Sequence, residues 1–378
     1  MTRRVLVLAP DPALRLDQQG GAGTHLRGTV DGLRAAGFAV TPVIGSTTAG
    51  DAGLSLAQRP APVARKVVPA WVRPIPRDLR TILHGRQLSE QIDGTAFDCV
   101  YERSAYLLDV GLRVARRAGI PYVVESDGML VEFHRETYGN GLDRYARRVE
   151  RRKHVEADLV VTMAEPLRRR LVERYGLDPE RILVKGLGVE RSLLEAESGP
   201  PGDRPLVGFA GTFQPYHGID VLIAALPRLA EAGMGALLIG DGPGLAAARE
   251  RARGLPVTFT GLLDRADALR ELSRCSVLAI PASASEMYPV KLLEYAALRR
   301  PVVCPAYEAY EEFRDGDRPL VSLFEAGSSA DFARAVIEAA EPEGQAVVDG
   351  LHDLVAKEYT WDAVAARLGR ALEELCSA

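Results

Sequence analysis

Short runs rich in Val, Ile and Leu alternate along this chain with longer stretches whose apolar residues recur at helical spacing. A strand apolar on both faces must be covered on both faces, and a helix after each strand supplies the cover. The alternation therefore predicts α/β units around parallel sheets. "RVLVLAP" opens the series as a strand. "THLRGTVDGLRAAG" follows as a helix, with Leu26, Val30 and Leu33 on one face and a stop at Gly37. "FAVTPVIG", "FDCVYERS", "PYVVESDG" and "ADLVVTMA" continue the strands, with "LRVARRAG" and "EPLRRRLVERYG" as helices between them.

A second series begins after the soft stretch "EAESGPPGDRP". It runs through "LVGFAG", "HGIDVLIAALPRLAEAG", "GALLIGDG", "VTFTG", "RADALRELSRC", "SVLAIPAS", "YPVKLLEYAALRR" and "PVVCPA". Pro and Gly near 199–205 mark the linker, so a first domain over 1–198 and a second over 204–359 are expected. Both read as Rossmann-like halves. The tail 360–378, "TWDAVAARLGRALEELCSA", is one more amphipathic helix. A length of 378 residues suits two domains, each with its own core. Residues 58–86 resist the pattern: Pro-rich, basic, with Trp71 inside, they read as a long excursion, either a solvated loop or a ligand-contacting one.

Hydrophobic residues at 47%, charged residues at 26% and a net charge of −4 give no global reason to expect nucleic acid or an anionic membrane as partner. No stretch approaches the ~20 apolar residues of a membrane span, and the apolar run before Pro10 is too short for a signal peptide core. Cys99, Cys275, Cys304 and Cys376 are scattered, as reduced thiols in a cytoplasm are. The basic run 144–154, "RYARRVERRKH", has acidic counterpoints and a broken apolar face, which favours a solvated helix over peripheral membrane contact.

The glycine-rich "QGGAGTHLRG" precedes a helix, a placement that suits phosphate. It lacks the third glycine and the acidic end of the second strand that a dinucleotide fingerprint needs, so nicotinamide chemistry is disfavoured. "LLIGDGPG" reads as a tight strand-to-helix turn, and "DGD" at 315–317 as a turn in place of a metal motif.

"EMYPVKLLE" (286–294) carries more. It follows a buried strand, at the end where open α/β sheets bind ligands. Pro289 suits a first helical position, leaving Glu286 in the loop and Glu294 about a turn and a half into the helix. Their carboxylates should then stand about 10–15 Å apart, beyond the ~5–9.5 Å of glycosidase acid/base pairs. Between them lie a helix N-terminus and Lys291, a seat for phosphate. A ligand with hydroxyls at both ends and phosphates in the middle fits. An ordinary surface helix with a Lys291–Glu294 pair would leave Glu286 unexplained.

"EMYPVKLLEYAALRRPVVCP" resembles the paired-glutamate segment of the family-four glycosyltransferases of GT-B fold. Similar to that family are "VGFAGTFQPYHGIDVLIAAL", "LLIGDGP", "VTFTGLLDRADALRELSRCSVLAIPAS" and the tail with Trp361. In the first half "GGAGTHLRGTVDGLRAAGFAV", "YERSAYLL", "IPYVVESDGMLVE" and "ADLVVTMAEPLRRRLVERYGLDPERILVKGLGVE" resemble it too, in the expected order. The resemblance implies a GT-B architecture, two Rossmann-like domains facing across a cleft with the last helix crossing back. It implies that Glu294 holds the ribose hydroxyls, Glu286 the donor sugar, and the amides around Val290 and Lys291 the diphosphate. The loop from Gly211 through Thr212 to His217 supplies a second cradle, Leu262 and Leu263 line the base, and Gly21 and Gly23 approach the donor. Where relatives carry Arg and Lys in the second cradle, this chain has Thr212 and His217, which puts more of the diphosphate charge on Lys291. Asp127 or Glu125 is expected to face the acceptor as base or anchor, with His25 and His134 as further acceptor-side candidates.

The expected activity is transfer of a sugar from a nucleoside diphosphate sugar (UDP- or GDP-type) to a hydroxyl of a small-molecule or glycan acceptor. Family likeness implies retention of configuration, no metal and no cofactor, the nucleotide-sugar being a substrate. Glu286, Lys291 and Asp127 are the expected catalytic groups. A nucleotide-sugar epimerase or hydrolase of the same fold and a donor-binding module are the alternatives. Base, sugar, acceptor and oligomeric state are not written in the sequence.

Overall fold

The computed structural model describes residues 2–15, 21–45, 74–139, 141–196, 199, 201–202, 204–283, 285 and 288–377. The chain divides into two compact units, Met1–Gly186 with Val364–Ala378, and Leu187–Ala363.

The first unit is built on a six-stranded sheet: β1 (Arg4–Ala9), β2 (Ala39–Ile44), β3 (Cys99–Arg103), β4 (Tyr122–Ser126), β5 (Leu159–Thr162) and β6 (Ile182–Val184). The order is β2-β1-β3-β4-β5-β6, parallel throughout. Its helices are α1 (Gly21–Ala35), α2 (Ile75–Gln91), α3 (Val110–Ala118), α4 (Leu130–Thr137), α5 (Asp143–Glu156) and α6 (Glu165–Tyr175). Val5, Val7, Leu26, Val30, Leu33 and Val123 form its core, joined by Leu368 and Leu372 from the chain's last helix.

Two expectations change here. Residues 75–86, expected inside a loop excursion, belong to α2, while 58–73 lie outside the described residues. Pro74 and Pro76 sit where a helix start tolerates proline. Asp78, fully buried, accepts hydrogen bonds from the amides of Gly141 (2.9 Å) and Leu142 (3.2 Å), which anchors the helix. The basic helix α5 is not solvated all round. It buries Ala146, Val149, Glu150, Lys153 and His154. Lys153 Nζ donates to Ser104 Oγ (2.8 Å) and the Ala105 carbonyl (2.9 Å), so the inward charges are hydrogen-bonded rather than solvated.

The second unit repeats the theme. Its strands are β7 (Leu206–Ala210), β8 (Gly235–Ile239), β9 (Val257–Gly261), β10 (Val277–Ala279), β11 (Val302–Pro305) and, after a small hairpin, β14 (Ser322–Phe324). The order is β14-β11-β10-β7-β8-β9, again parallel. The hairpin, β12 (Arg314–Asp315) with β13 (Arg318–Pro319), turns at Gly316 with φ +56°, so "DGD" is an exposed turn. The helices are α7 (Arg191–Glu195), α8 (Ile219–Glu231), α9 (Leu245–Arg251), α10 (Arg265–Leu272), α11 (Val290–Ala297), α12 (Ser329–Ala340), α13 (Pro342–Gln345), α14 (Val348–Glu358) and α15 (Trp361–Leu375), whose residues from Val364 belong to the first unit. The stretch 199–205 lies inside this unit, because the chain joins it earlier: the Val189 amide donates to the Tyr359 carbonyl (2.8 Å), and the Trp361 amide to that of Val189 (3.1 Å).

In each sheet the order of connection reverses once, between β1 and β3 and between β7 and β10. Parallel α/β sheets bind ligands at the carboxyl ends of strands beside such a switch point.

Candidate functional site

In the second unit, β7 ends at Ala210, and the loop Gly211–Gly218 leads into α8. The carbonyl oxygens of Gly211, Thr212 and Phe213 all lie against the turn after β8. A Cβ on Gly240 would stand 1.9 Å from the first and one on Gly242 1.8 Å from the second, and the Gly244 amide donates to the third (3.0 Å). Gly240 and Gly242 have φ of +123° and +149°, so glycine is required there by both contact and backbone. In a trans peptide the N–H points opposite to the C=O. The amides of Thr212, Phe213 and Gln214 are thus turned away from that turn, and among the described residues they make no hydrogen bond. Phe213 holds φ +46° with its ring 1% exposed, a strained backbone fixed by packing. Three unpaired amides in a row form an anion-binding concavity.

Across the switch point α11 starts at Val290, one residue later than expected, with Pro289 at its N-cap. The first amides of a helix, here of Val290 and Lys291, have no partner within it. Tyr295, fully buried, accepts from the Ala210 amide (3.1 Å), and Lys291 Nζ donates to the Ala210 carbonyl (3.0 Å). Helix α11 therefore clamps the end of β7 from both sides, and the Lys291 ammonium stands where the cradle begins. It also lies 4.5 Å over the Phe209 ring. Burial pulls its pKa down to about 8.

His217 does not supply the missing charge. Burial, with Lys291 nearby, lowers its pKa to about 3, and its buried Nδ1 has no hydrogen-bond partner. Thr212 is exposed. Glu294 makes no ion pair with Lys291 among the described residues; its Oε1 accepts from Arg265 Nε at 2.8 Å, and Arg265 Nη2 reaches Glu190 Oε2 at 2.6 Å. Leu262, 73% exposed, and Leu263, half-buried, follow Gly261 on the same stretch. Glu286 lies outside the described residues.

In the first unit, Gly21 opens α1 at the surface, while Gly23 and His25 are buried in its first turns. His25 Nε2 stands 3.0 Å from Glu125 Oε1, and Lys185 Nζ 2.8 Å from Glu125 Oε2 and 3.1 Å from His25 Nε2. Tyr101 donates its hydroxyl to the same carboxylate. Burial works to raise the Glu125 pKa, but His25 and Lys185 overcome it and hold the group well below the usual carboxylate range. His25, Glu125 and Asp127 could together offer ligand atoms to a metal, all within 4.8 Å. The Lys185 ammonium already lies on Glu125, so this cluster carries a cation of its own.

Asp127, just past β4, pairs with Arg103 at the end of β3 (Nε to Oδ2, 2.6 Å), while Arg103 Nη1 donates to the Ala22 carbonyl (3.2 Å). Its other oxygen, Oδ1, is buried and unpartnered. Asp127, Arg103, Asp11, Tyr106, Phe133 and His134 line a cavity of about 190 Å³. The His134 ring stacks on Tyr106 at 4.1 Å and 7°, and burial lowers its pKa to about 4. Of the acceptor-side candidates, Asp127 and His134 line this cavity. His25 and Glu125, 4% and 1% exposed, are not among its lining residues and are taken up by their own network.

Sequence reasoning missed Arg103, Lys185, Arg265 and Glu190. Lys185 had a signal: a lone charge inside the apolar run "ILVKGLG", which burial can tolerate only with a partner. Arg265 had none, since its partners are 75 and 29 residues away.

Residues 19–193 match the family model described as Glycosyltransferase Family 4, and residues 204–341 that described as Glycosyl transferases group 1. D-inositol 3-phosphate glycosyltransferase from Mycobacterium tuberculosis is 29% identical over 243 residues, 58% of this chain and 50% of that one. The chain thus spans about half the length of the curated relatives it matches. Among solved structures, sucrose-phosphate synthase from Thermosynechococcus elongatus aligns with a TM-score of 0.74 at 17% identity, over 99% of this chain and 100% of that one. HepE from Anabaena, solved in complex with UDP-glucose, aligns at 0.64 and 14% identity, over 98% and 100%. No helix among the described residues is long and apolar enough to cross a membrane.

Proposed function

The chain is a family-four glycosyltransferase of GT-B fold, and from that premise we propose that it moves a sugar from a nucleoside diphosphate sugar to an acceptor hydroxyl with retention of configuration. The observation that carries the donor reading is the convergence at one switch point of three unpaired loop amides, the start of α11 and the Lys291 ammonium. Backbone donors fixed in place stabilise charge without reorganising, and that is what a departing diphosphate requires. Charge on the leaving group is met by these groups in place of a divalent metal, and no separate cofactor takes part. Glu294 receives the ribose hydroxyls, Leu262 and Leu263 the base. Glu286 takes the donor sugar on the strength of the sequence alone.

The acceptor belongs to the first unit. The cavity beside Asp127 is smaller than the ~300–1,000 Å³ pockets that enclose drug-sized ligands, so it fits a single ring or the end of a longer acceptor. The relative's name, an inositol phosphate glycosyltransferase, is in keeping with a compact polyol. Asp127 Oδ1, buried without a partner, accepts from an acceptor hydroxyl and orients it. Four cysteines without a disulfide support a cytoplasmic setting for this reaction.

The test is incubation with a panel of UDP- and GDP-sugars, with and without cyclitol and monosaccharide acceptors, followed by nucleotide and anomer analysis. Nucleoside diphosphate release that an acceptor accelerates, with the product anomer matching the donor, is expected. A stereoisomeric nucleotide-sugar would identify an epimerase. An unchanged donor that still raises the melting temperature would identify a binding module.

A further inference from the structure

Arg265 stands in the first turn of α10, the end of a helix where a cation is disfavoured by the helix dipole. Asp264 caps that helix through the Asp267 amide and Asp267 pairs with Arg270, so neither carboxylate of the turn is the partner of this guanidinium. Its partners lie elsewhere. Nε donates to Glu294 Oε1 at 2.8 Å and Nη2 to Glu190 Oε2 at 2.6 Å, one planar fork across two carboxylates from separate segments. Glu190 is itself anchored, because Val189 before it is hydrogen-bonded through both its amide (2.8 Å) and its carbonyl (3.1 Å) to the 359–361 segment. The chain of support therefore runs from rigid backbone through Glu190 and Arg265 to Glu294. Glu294 Oε2 keeps no hydrogen bond among the described residues and is left to a ligand.

We propose that Arg265 is a positioning residue for the nucleotide ribose: it holds the Glu294 carboxylate in one orientation for a cis-diol, and so sets the preference for ribonucleotides over their 2′-deoxy forms. This rests on the reading that Glu294 receives the ribose. Arginine is needed because only a fork with fixed donors can serve two carboxylates at once, whereas a lysine ammonium is a single flexible point. The three side chains are partly exposed, at 42%, 19% and 38% for Arg265, Glu294 and Glu190, so the effect is modest and acts through orientation.

The test is calorimetric titration of UDP, GDP and their 2′-deoxy forms into the wild type, Arg265→Ala, Arg265→Lys, Glu294→Ala and the Arg265→Ala/Glu294→Ala double variant, with melting curves alongside. For the ribonucleotide that binds, Arg265→Ala should weaken affinity roughly two- to tenfold and the 2′-deoxy form much less. Arg265→Lys should recover only part, and the double variant should match Glu294→Ala. If Arg265→Ala is silent, tightens binding, or keeps its full effect in the Glu294→Ala background, the positioning role is wrong while the nucleotide site stands. If Glu294→Ala itself binds every nucleotide normally with an unchanged melting temperature, the ribose reading falls and this inference with it.

Discussion

Lys291 Nζ donates to the Ala210 carbonyl at 3.0 Å, and Ala210 is the last residue of the strand that feeds the amide cradle. A side chain on one element of the switch point is thereby tied to the backbone of the other. The ammonium is buried enough for its proton to leave near pH 8.

The first prediction follows from that proton. In the proposed donor site Lys291 meets the diphosphate only when charged, so donor kcat/KM is predicted to fall as pH rises through about 8. A bound diphosphate favours the charged form, so the limb in kcat should lie higher. Lys291→Ala should lower kcat by roughly 10²-fold, the cost of removing one preorganised donor. Lys291→Arg should carry the alkaline limb upward in pH–rate profiles. An unmoved limb in that variant would assign the titration to another group.

Gly242→Ala tests the cradle's backbone. The new methyl would stand 1.8 Å from the Thr212 carbonyl at a φ of +149°, so the loop must shift. A loss of about 1–3 kcal/mol in urea unfolding is expected, with donor affinity falling in step. Gly233→Ala is the control: also at positive φ, but with open space around its Cβ. It should bear the backbone strain and leave donor binding intact.

Lys185→Met probes the buried cluster of the first unit. Removing the ammonium leaves Glu125 charged with His25 as its remaining ion partner, and a loss of about 3 kcal/mol is expected at pH 7. The sign with pH is fixed. Because the folded pKa of Glu125 lies below its ordinary 4.5, its contribution is complete above that value and erodes as pH falls through the folded pKa. Urea titrations of wild type and variant should therefore converge below about pH 4.5. A constant gap down to pH 3 would mean the loss comes from packing.

The thiols offer a prediction away from the site. Cys376 is partly exposed while the other three thiols are buried, and the neighbouring Cys99 lowers its pKa, whereas burial pushes Cys275 up to about 12 and Cys304 well above its ordinary value. Iodoacetamide at pH 7.5 should label Cys376 first among the four, by peptide mass mapping. Equal labelling of Cys275 would contradict this arrangement.

The strands and most helices were legible because each buries a continuous apolar face, as in Val5–Ala9 or Leu26, Val30 and Leu33. The positions of the loop Gly211–Gly218 and of the start of α11 were legible too, because each follows a buried apolar run that ends in glycine or proline. Helix α2 was hidden, since two prolines at its start read as breakers while their permissive first-turn position depends on where the helix begins. The inward face of α5 was hidden because Glu150 and Lys153 look solvated until Tyr175, Val131 and Ser104 are seen beside them. Of the candidate site, single residues could be read but not their pairings. Arg265 with Glu294, Arg103 with Asp127 and Lys185 with Glu125 are contacts over long sequence separations, which no local pattern encodes.

Helix α15 has a consequence for synthesis on the ribosome. Leu368 and Leu372, 1% and 0% exposed, complete the core formed by β1, α1 and β2, yet they are translated after the whole second unit. The unit whose first strand is made earliest is thus the last to close. A nascent chain stalled at Ala363 would carry a second unit with all of its residues beside a first unit with a hole in its core.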